Sequence, residues 1–160
     1  MKKDKYIIDA YNVIYAWKKM AFVKDPDFSD IDFAAIVSSF ADCISGHVVI
    51  VFDGNTYNAD DIRSRFTNIK IVFSSKDASA DSIIEKMGNQ KENNERIIVI
   101  TSDRIESYIA SEKGSQVLSP RFFWDIVSNK RKELDSDIAS LKAMKHKKGF
   151  TIEDLIDHDL

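Results

Sequence analysis

The chain has 160 residues, 44% hydrophobic and 31% charged, which is enough to bury the core of one globular domain. Its formal net charge of -3 and pI near 5.6 exclude the overall basic surplus that nucleic-acid binders commonly carry. A single cysteine, Cys43, excludes an internal disulfide, and no apolar run approaches the ~20 residues of a membrane span.

The first lysines and the apolar stretch behind them have the outline of a secretory leader, but Asp9 and Asn12 interrupt it and no small-residue cleavage site follows. A soluble cytoplasmic protein is expected. A strand is predicted over 5–9, ending at Asp9 of YIIDAYN, with a helix from about 12. A second helix follows over 29–45, and its pattern FAAIVSSFADCI makes Cys43 a small buried hydrophobe. The strand over 47–53 ends at Asp53 of FDGN, with His47 packing at its start. The polar GNTYNADD stretch then reads as a loop rather than a tight hairpin.

Another strand spans 69–74. SADSIIEKM then opens a helix over 80–92, with Asp81 in its first turn and Glu85 four residues on; the polar GNQKENNE of 88–95 reads as a solvated loop, with Gly88 between elements. The strand over 96–102 ends in VITSD at Asp103, before a helix over 104–113 and a short strand over 115–118. A long helix begins at Pro120, with Ser119 as its cap. Beyond a lysine-rich KAMKHKKG, Thr151 and Asp154 have capping-box spacing, and Ile152, Leu155 and Ile156 could form one apolar stripe.

Strands alternating with helices of this length imply parallel pairing through crossovers. The nearly continuous apolar strands fit a sheet covered on both faces. The expected fold class is α/β, a three-layer α/β/α sandwich around a mostly parallel sheet, over residues 1–130. Residues 131–160 read as a C-terminal helical extension, packed on that domain or projecting from it.

In such a sheet the carboxyl ends of the strands meet along one edge, where ligands bind. Asp9, Asp53 and Asp103 each stand where a strand ends, and Asp81 lies in the first helical turn after the third strand-like run, 69–74. Each has a plain structural reading: a helix cap for Asp9 and Asp103, a turn former for Asp53, a dipole-matched acid for Asp81. Together they could hold Mg2+ or Mn2+, which take oxygen ligands and serve phosphoryl chemistry, singly or as a pair of ions. Asn12, three residues after Asp9, would orient its carboxylate.

Other chemistries are poorly supplied. GxxxxGK[ST] and GxGxxG are absent, the three histidines lack zinc spacing, and Tyr11 stands where a dehalogenase-type phosphatase needs a second Asp.

The segments IIDAYNVI, VVIVFDG, SADSIIE after IVFSS, and VITSDR followed by GSQVLSP resemble the YacP-type NYN-domain proteins of the PIN-like nuclease superfamily, over about residues 5–130. The resemblance implies a PIN-like fold and a metal-dependent endoribonuclease that uses Mg2+ or Mn2+ on mRNA, with cleavage on the translating ribosome. It carries catalytic roles to Asp9, Asn12, Asp81 and Asp103 and metal ligation to Asp9, Asp53, Asp81 and Asp103. Ala10 stands where the family turn often has Gly.

RNA binding needs positive charge beside the acids. Lys18, Lys19, Arg63, Arg65, Arg104 and Arg121 are the candidates, with the 130–132 cluster behind them; Tyr57 could stack a base, as could Trp17, although its helical spacing from Val13 marks Trp17 rather as core. Residues 121–148 carry eight Lys or Arg against four acids, whereas 25–62 carry eight Asp and no Lys or Arg. The alternative function is a catalytically silent RNA- or ribosome-binding module whose acids serve only as caps.

Overall fold

The computed structural model describes residues 2–54, 59–90, 92 and 94–148, the last three without their side chains. Five strands and six helices follow in chain order among these residues: β1 (Lys3–Asp9), α1 (Ala10–Lys19), α2 (Asp30–Asp42), β2 (Gly46–Phe52), α3 (Ala59–Arg65), β3 (Lys70–Phe73), α4 (Ala80–Asn89), β4 (Glu95–Ile100), α5 (Arg104–Glu112), β5 (Gln116–Leu118) and α6 (Pro120–Lys148). The strands form one sheet in the order β3-β2-β1-β4-β5, with every pairing parallel. None of the described helices is long and apolar enough to cross a membrane.

Strand alternation divides the core into two layers. Tyr6, Ile8, Val48, Ile50 and Phe52 face the side covered by α1, α2, α3 and the start of α6. Ile7, Val49, Val51, Ile97 and Val99 face the side covered by α4 and α5. The first layer is aromatic: Trp17 stacks on Phe123 and meets Phe33 and Trp124 edge-on or tilted, and its Nε1 donates to the Pro120 carbonyl at 2.8 Å. Such ring pairs add about 0.5–1.5 kcal/mol each beyond simple burial, so this cluster fixes the start of α6 against α1. Trp17 is fully buried, the core position that its helical spacing from Val13 implies.

Local chemistry sets the helix starts. Ser29 and Asp32 form a reciprocal capping box on α2, and the Ser119 hydroxyl accepts from the Phe122 N–H at 3.1 Å on α6. Gly46 permits the close approach of β1, because a Cβ there would collide with the Asp4 carbonyl.

Four local expectations need correction. Residues 59–65 are helical rather than loop: Asp60 and Asp61 match the positive end of a short helix, Arg63 and Arg65 its negative end, and Ile62 anchors it in the core. Cys43 is exposed at the C-cap of α2, with Sγ toward the Ser39 carbonyl at 3.4 Å, because the helix ends before its apolar face would bury it. His47 is exposed, with Nδ1 3.5 Å from Glu95 Oε1. Gly88 lies inside α4 rather than in the loop after it.

The chain divides into two compact units, residues 1–127 and 128–160. Within the second, α6 runs to Lys148 with Leu134, Ile138, Leu141 and Met144 exposed. The capping box proposed for Thr151 and Asp154, and the stripe of Ile152, Leu155 and Ile156, lie outside the described residues, as does Tyr57.

Candidate active site

The strand order reverses between β1 and β4: from β1 the chain winds through β2 to β3, and then returns to place β4 on the other flank of β1. Crossovers leave these two strands toward opposite faces, opening a crevice at their carboxyl ends where α/β sheets bind ligands. Asp9 is the last residue of β1, and the pleat turns it, like Ile7, toward the face covered by α4 and α5. Asp81 comes from the first turn of α4 and Glu106 from α5, and one carboxylate oxygen of each of the three acids lies within 4.8 Å of the others.

Simple capping does not explain this cluster. Asp9 stands at the N-cap of α1 but its side chain makes no capping hydrogen bond, and it is only 9% exposed. Glu106 is 7% exposed, and among the described residues no N–H or hydroxyl donor reaches either of its oxygens. What faces them is the carboxylates of Asp9 and Asp81, with which Glu106 can share only a proton or a cation.

The electrostatics follow from burial. Burial, then the neighbouring carboxylates of Asp81 and Asp9, push the Glu106 carboxyl up to about 9. Burial also raises Asp9. The Glu106 proton opposes that rise, the Asp81 charge adds to it, the Asn12 backbone N–H opposes it from beyond strict capping geometry, and the Asp53 charge adds a little. Without a cation the cluster thus holds a proton at neutral pH. Three converging carboxylates with orphaned buried oxygens are a donor set suited to Mg2+ or Mn2+, whose charge would replace that proton.

The remaining expected site residues lie around this centre. Asn12 does not direct its side chain to Asp9. Its Oδ1 accepts from the Ser102 N–H at 2.6 Å and the Ser102 hydroxyl at 2.8 Å, bracing the start of α1 to the β4–α5 turn. Asp53, exposed after β2, accepts from the Ser74 hydroxyl at 2.7 Å and acts on Asp9 through its charge.

Asp103 stands outside the group of three. Its Oδ1 accepts from the Ile105 and Glu106 N–H groups at 2.9 and 3.1 Å, capping α5 and fixing the turn that carries Glu106. Asp103→Ala is therefore expected to cost about 1 kcal/mol of stability, as for other lost caps. Asp103→Asn should retain both stability and any gain in Tm on adding Mn2+, as read by thermal melts, because asparagine caps equally well. A lost Mn2+ gain in Asp103→Asn would instead make Asp103 a ligand.

Among the basic candidates, Arg63 is held by the Ile71 carbonyl, by Asp60 and over the Phe73 ring, and Arg65 pairs with Asp61 at 3.2 Å. Lys18 and Lys19 are exposed at the far end of α1, ~13 Å along its axis from the acids. Arg104 and Arg121 are exposed in the first turns of α5 and α6, at the carboxyl edge, with no ion pair among the described residues.

Glu106 was not among the expected residues, yet the sequence carries a signal for it. Counting along α5, Glu106 shares the inward stripe with Ile109 and Ala110, a position where a carboxylate is costly unless it has a partner.

Comparison with known proteins gives the family and the fold. The family model of the YacP-like NYN domain matches residues 6–159. The chain is 25% identical over 121 residues to the uncharacterized protein YacP of Bacillus subtilis (strain 168), covering 74% of this chain and 71% of that protein. The crystal structure of Rae1 (YacP) from Bacillus subtilis shares the fold with a TM-score of 0.75 at 19% identity, over 98% of this chain and 91% of that one. A point mutant of the same protein gives 0.69 at 20% identity, over 88% and 84%. A parallel five-stranded sheet with acids gathered at its reversal point, and a family match over nearly the whole sequence, make this chain a member of the YacP-like NYN-domain family.

Proposed function

We propose that the protein is a divalent-metal-dependent endoribonuclease that cleaves mRNA, with Mg2+ or Mn2+ held by Asp9, Asp81 and Glu106. The observation that carries this reading is the trio of carboxylates converging within 4.8 Å, one of them buried with both oxygens unpartnered. A divalent ion there supplies Lewis-acid stabilisation of the phosphoryl group and lowers the pKa of water.

The chain's own residues supply position and charge. Asn12 keeps the β4–α5 turn, and so Glu106, in register with Asp9. Asp53 adds negative charge at the rim, where a further cation would be attracted. Arg104 and Arg121, with Lys76 of the β3–α4 loop, are basic groups at this edge suited to RNA phosphates. Among the described residues, these few exposed cations are a small basic surface for a polymer of phosphates. That supports a substrate presented by a second body, the translating ribosome, rather than gripped from solution by this chain alone.

The test incubates the full chain with an end-labelled mRNA, naked and under translation, with Mn2+ or with chelator. Internal cuts that require the cation and vanish in Asp9→Asn are expected. Equal cutting by wild type and variant would end the assignment. RNA or ribosome binding with no cutting under any condition would make the protein a silent binding module.

A further inference from the structure

A cavity of about 70 Å3 opens between α4 and α5, sharing Asp81 and Glu106 with the acidic centre at one end. Its walls are apolar, formed chiefly by Ile84, Val99 and Ile109. At its outer end Lys113 Nζ donates to Glu85 Oε1 at 2.6 Å, an ion pair that is partly exposed. We propose that this cavity is a nucleobase pocket, which receives the edge of the base next to the cleaved phosphate and so selects where RNA is cut. The proposal rests on the nuclease reading above.

Three independent features fit that occupant. The first is shape and size. A cavity of roughly 150 Å3 can enclose a benzene ring, so a space of about half that volume suits the edge of a planar ring and leaves the rest outside. The second is the rim, where Ile105 is 73% exposed beside the cavity, a large apolar surface on which the protruding face of a base would lie.

The third is chemistry: an ammonium donor and a carboxylate acceptor side by side suit the adjacent acceptor and donor of a base edge, whose order differs from base to base, and Ser115 adds a hydroxyl in the wall. RNA enzymes and binders read unpaired bases in this way, by packing against the face and bonding to the edge.

Gly88 supports the same reading. Glycine in a helix destabilises it relative to alanine, and a left-handed backbone or a crowded neighbour usually requires it. Neither applies here, since the nearest atom to a Cβ at Gly88 would be Ser115 Oγ at an ordinary 3.8 Å. What the missing side chain does is keep the wall of the cavity open. Gly88→Leu is thus a plug that favours the helix instead of breaking it.

The test uses the full chain with 13C-labelled isoleucine methyls, in chelator, titrated with guanosine, adenosine, cytidine and uridine, and with ribose as control. At least one nucleoside should shift the Ile84 and Ile109 methyls saturably, ribose should not, and the shifts should disappear in Gly88→Leu. No saturable shift from any nucleoside, an equal shift from ribose, or shifts that persist in Gly88→Leu would overturn the pocket. In Mn2+, sequenced cleavage products of a random RNA pool should show one base favoured by about tenfold or more at a position flanking the cut, as expected for one well-bonded base.

That preference should flatten in Lys113→Met and in Gly88→Leu, while both variants keep the rise in Tm on adding Mn2+. A preference unchanged in both would also overturn the proposal. A wild type that cuts no RNA would sink the nuclease reading, and the nucleoside titration would still decide the pocket.

Discussion

Glu106→Gln is expected to abolish RNA cleavage and the rise in Tm with Mn2+, while leaving the metal-free protein folded and no less stable at neutral pH. The combination follows from the state of the acid. Without a cation Glu106 is already neutral at pH 7, its carboxyl pushed up to about 9 by burial and by Asp81 and Asp9. Glutamine reproduces that neutral side chain in size and can still donate to a neighbouring carboxylate.

A cation needs the charged form, which glutamine cannot supply. Loss of a group that only orients a ligand weakens metal sites 10–100-fold, so loss of a ligand itself should reduce cleavage by more than about 100-fold. Asp81→Asn should do the same to activity. Melting curves with and without Mn2+, alongside cleavage rates, check both variants. A Glu106→Gln protein that still gains Tm with Mn2+ would remove Glu106 from the metal set.

The metal-free protein is expected to lose stability as pH rises from about 5 to 9, against the usual behaviour of a carboxylate stabilised by folding. Glu106 titrates near 4.5 when unperturbed and near 9 in the fold. The native state therefore keeps a proton that the unfolded chain releases. This contribution is fully present below the lower value and is lost as pH climbs through the higher one. Asp9, also raised by burial, acts in the same direction at the acid end of that window.

Because Glu106 and Asp9 face one another in one carboxylate cluster, their contributions do not simply add, and the whole effect is on the order of 2 kcal/mol, or about 4–8 °C in Tm. The measurement is the difference in Tm between wild type and Glu106→Gln across this range in chelator. The variant should lack the decline, becoming the more stable of the two at pH 9. Saturating Mn2+ should flatten the wild-type curve, since cation and proton compete for one cluster. A wild-type curve parallel to that of Glu106→Gln would show that Glu106 is not the protonated member.

Much of the fold is legible locally. Apolar runs at 5–9, 47–53, 69–74 and 96–102 announce strands because a sheet buried on both faces selects for them, and Ser119-Pro120 announces α6 because a hydroxyl and a fixed φ suit a helix start. The helix at 59–65 escapes such reading. Seven residues make too few turns for a hydrophobic period, and it is the burial of Ile62 that anchors the helix. Cys43 is misread for a related reason: periodicity says which face a residue shares, not where the helix stops.

The candidate site divides along the same line. Asp9 and Asp81 are readable because a strand end and a first helical turn are positions where the chain alone specifies direction: the pleat points Asp9 to the α4 and α5 face, and the turn brings Asp81 to the same edge. The choice between Asp103 and Glu106 is not local. Three residues apart on one turn, either could reach the crevice, and the sequence favours the one at the strand end.

The packing of α5 settles it by turning Glu106 inward, while the orphaned N–H groups of the helix start claim Asp103. Sequence by itself thus determined the strands, the parallel sheet and the edge where acids gather, since these follow from periodicity and chain direction. Tertiary structure alone decided which acids share a proton and where the cavity beside them opens, because both depend on how α4 and α5 lie across β1 and β4.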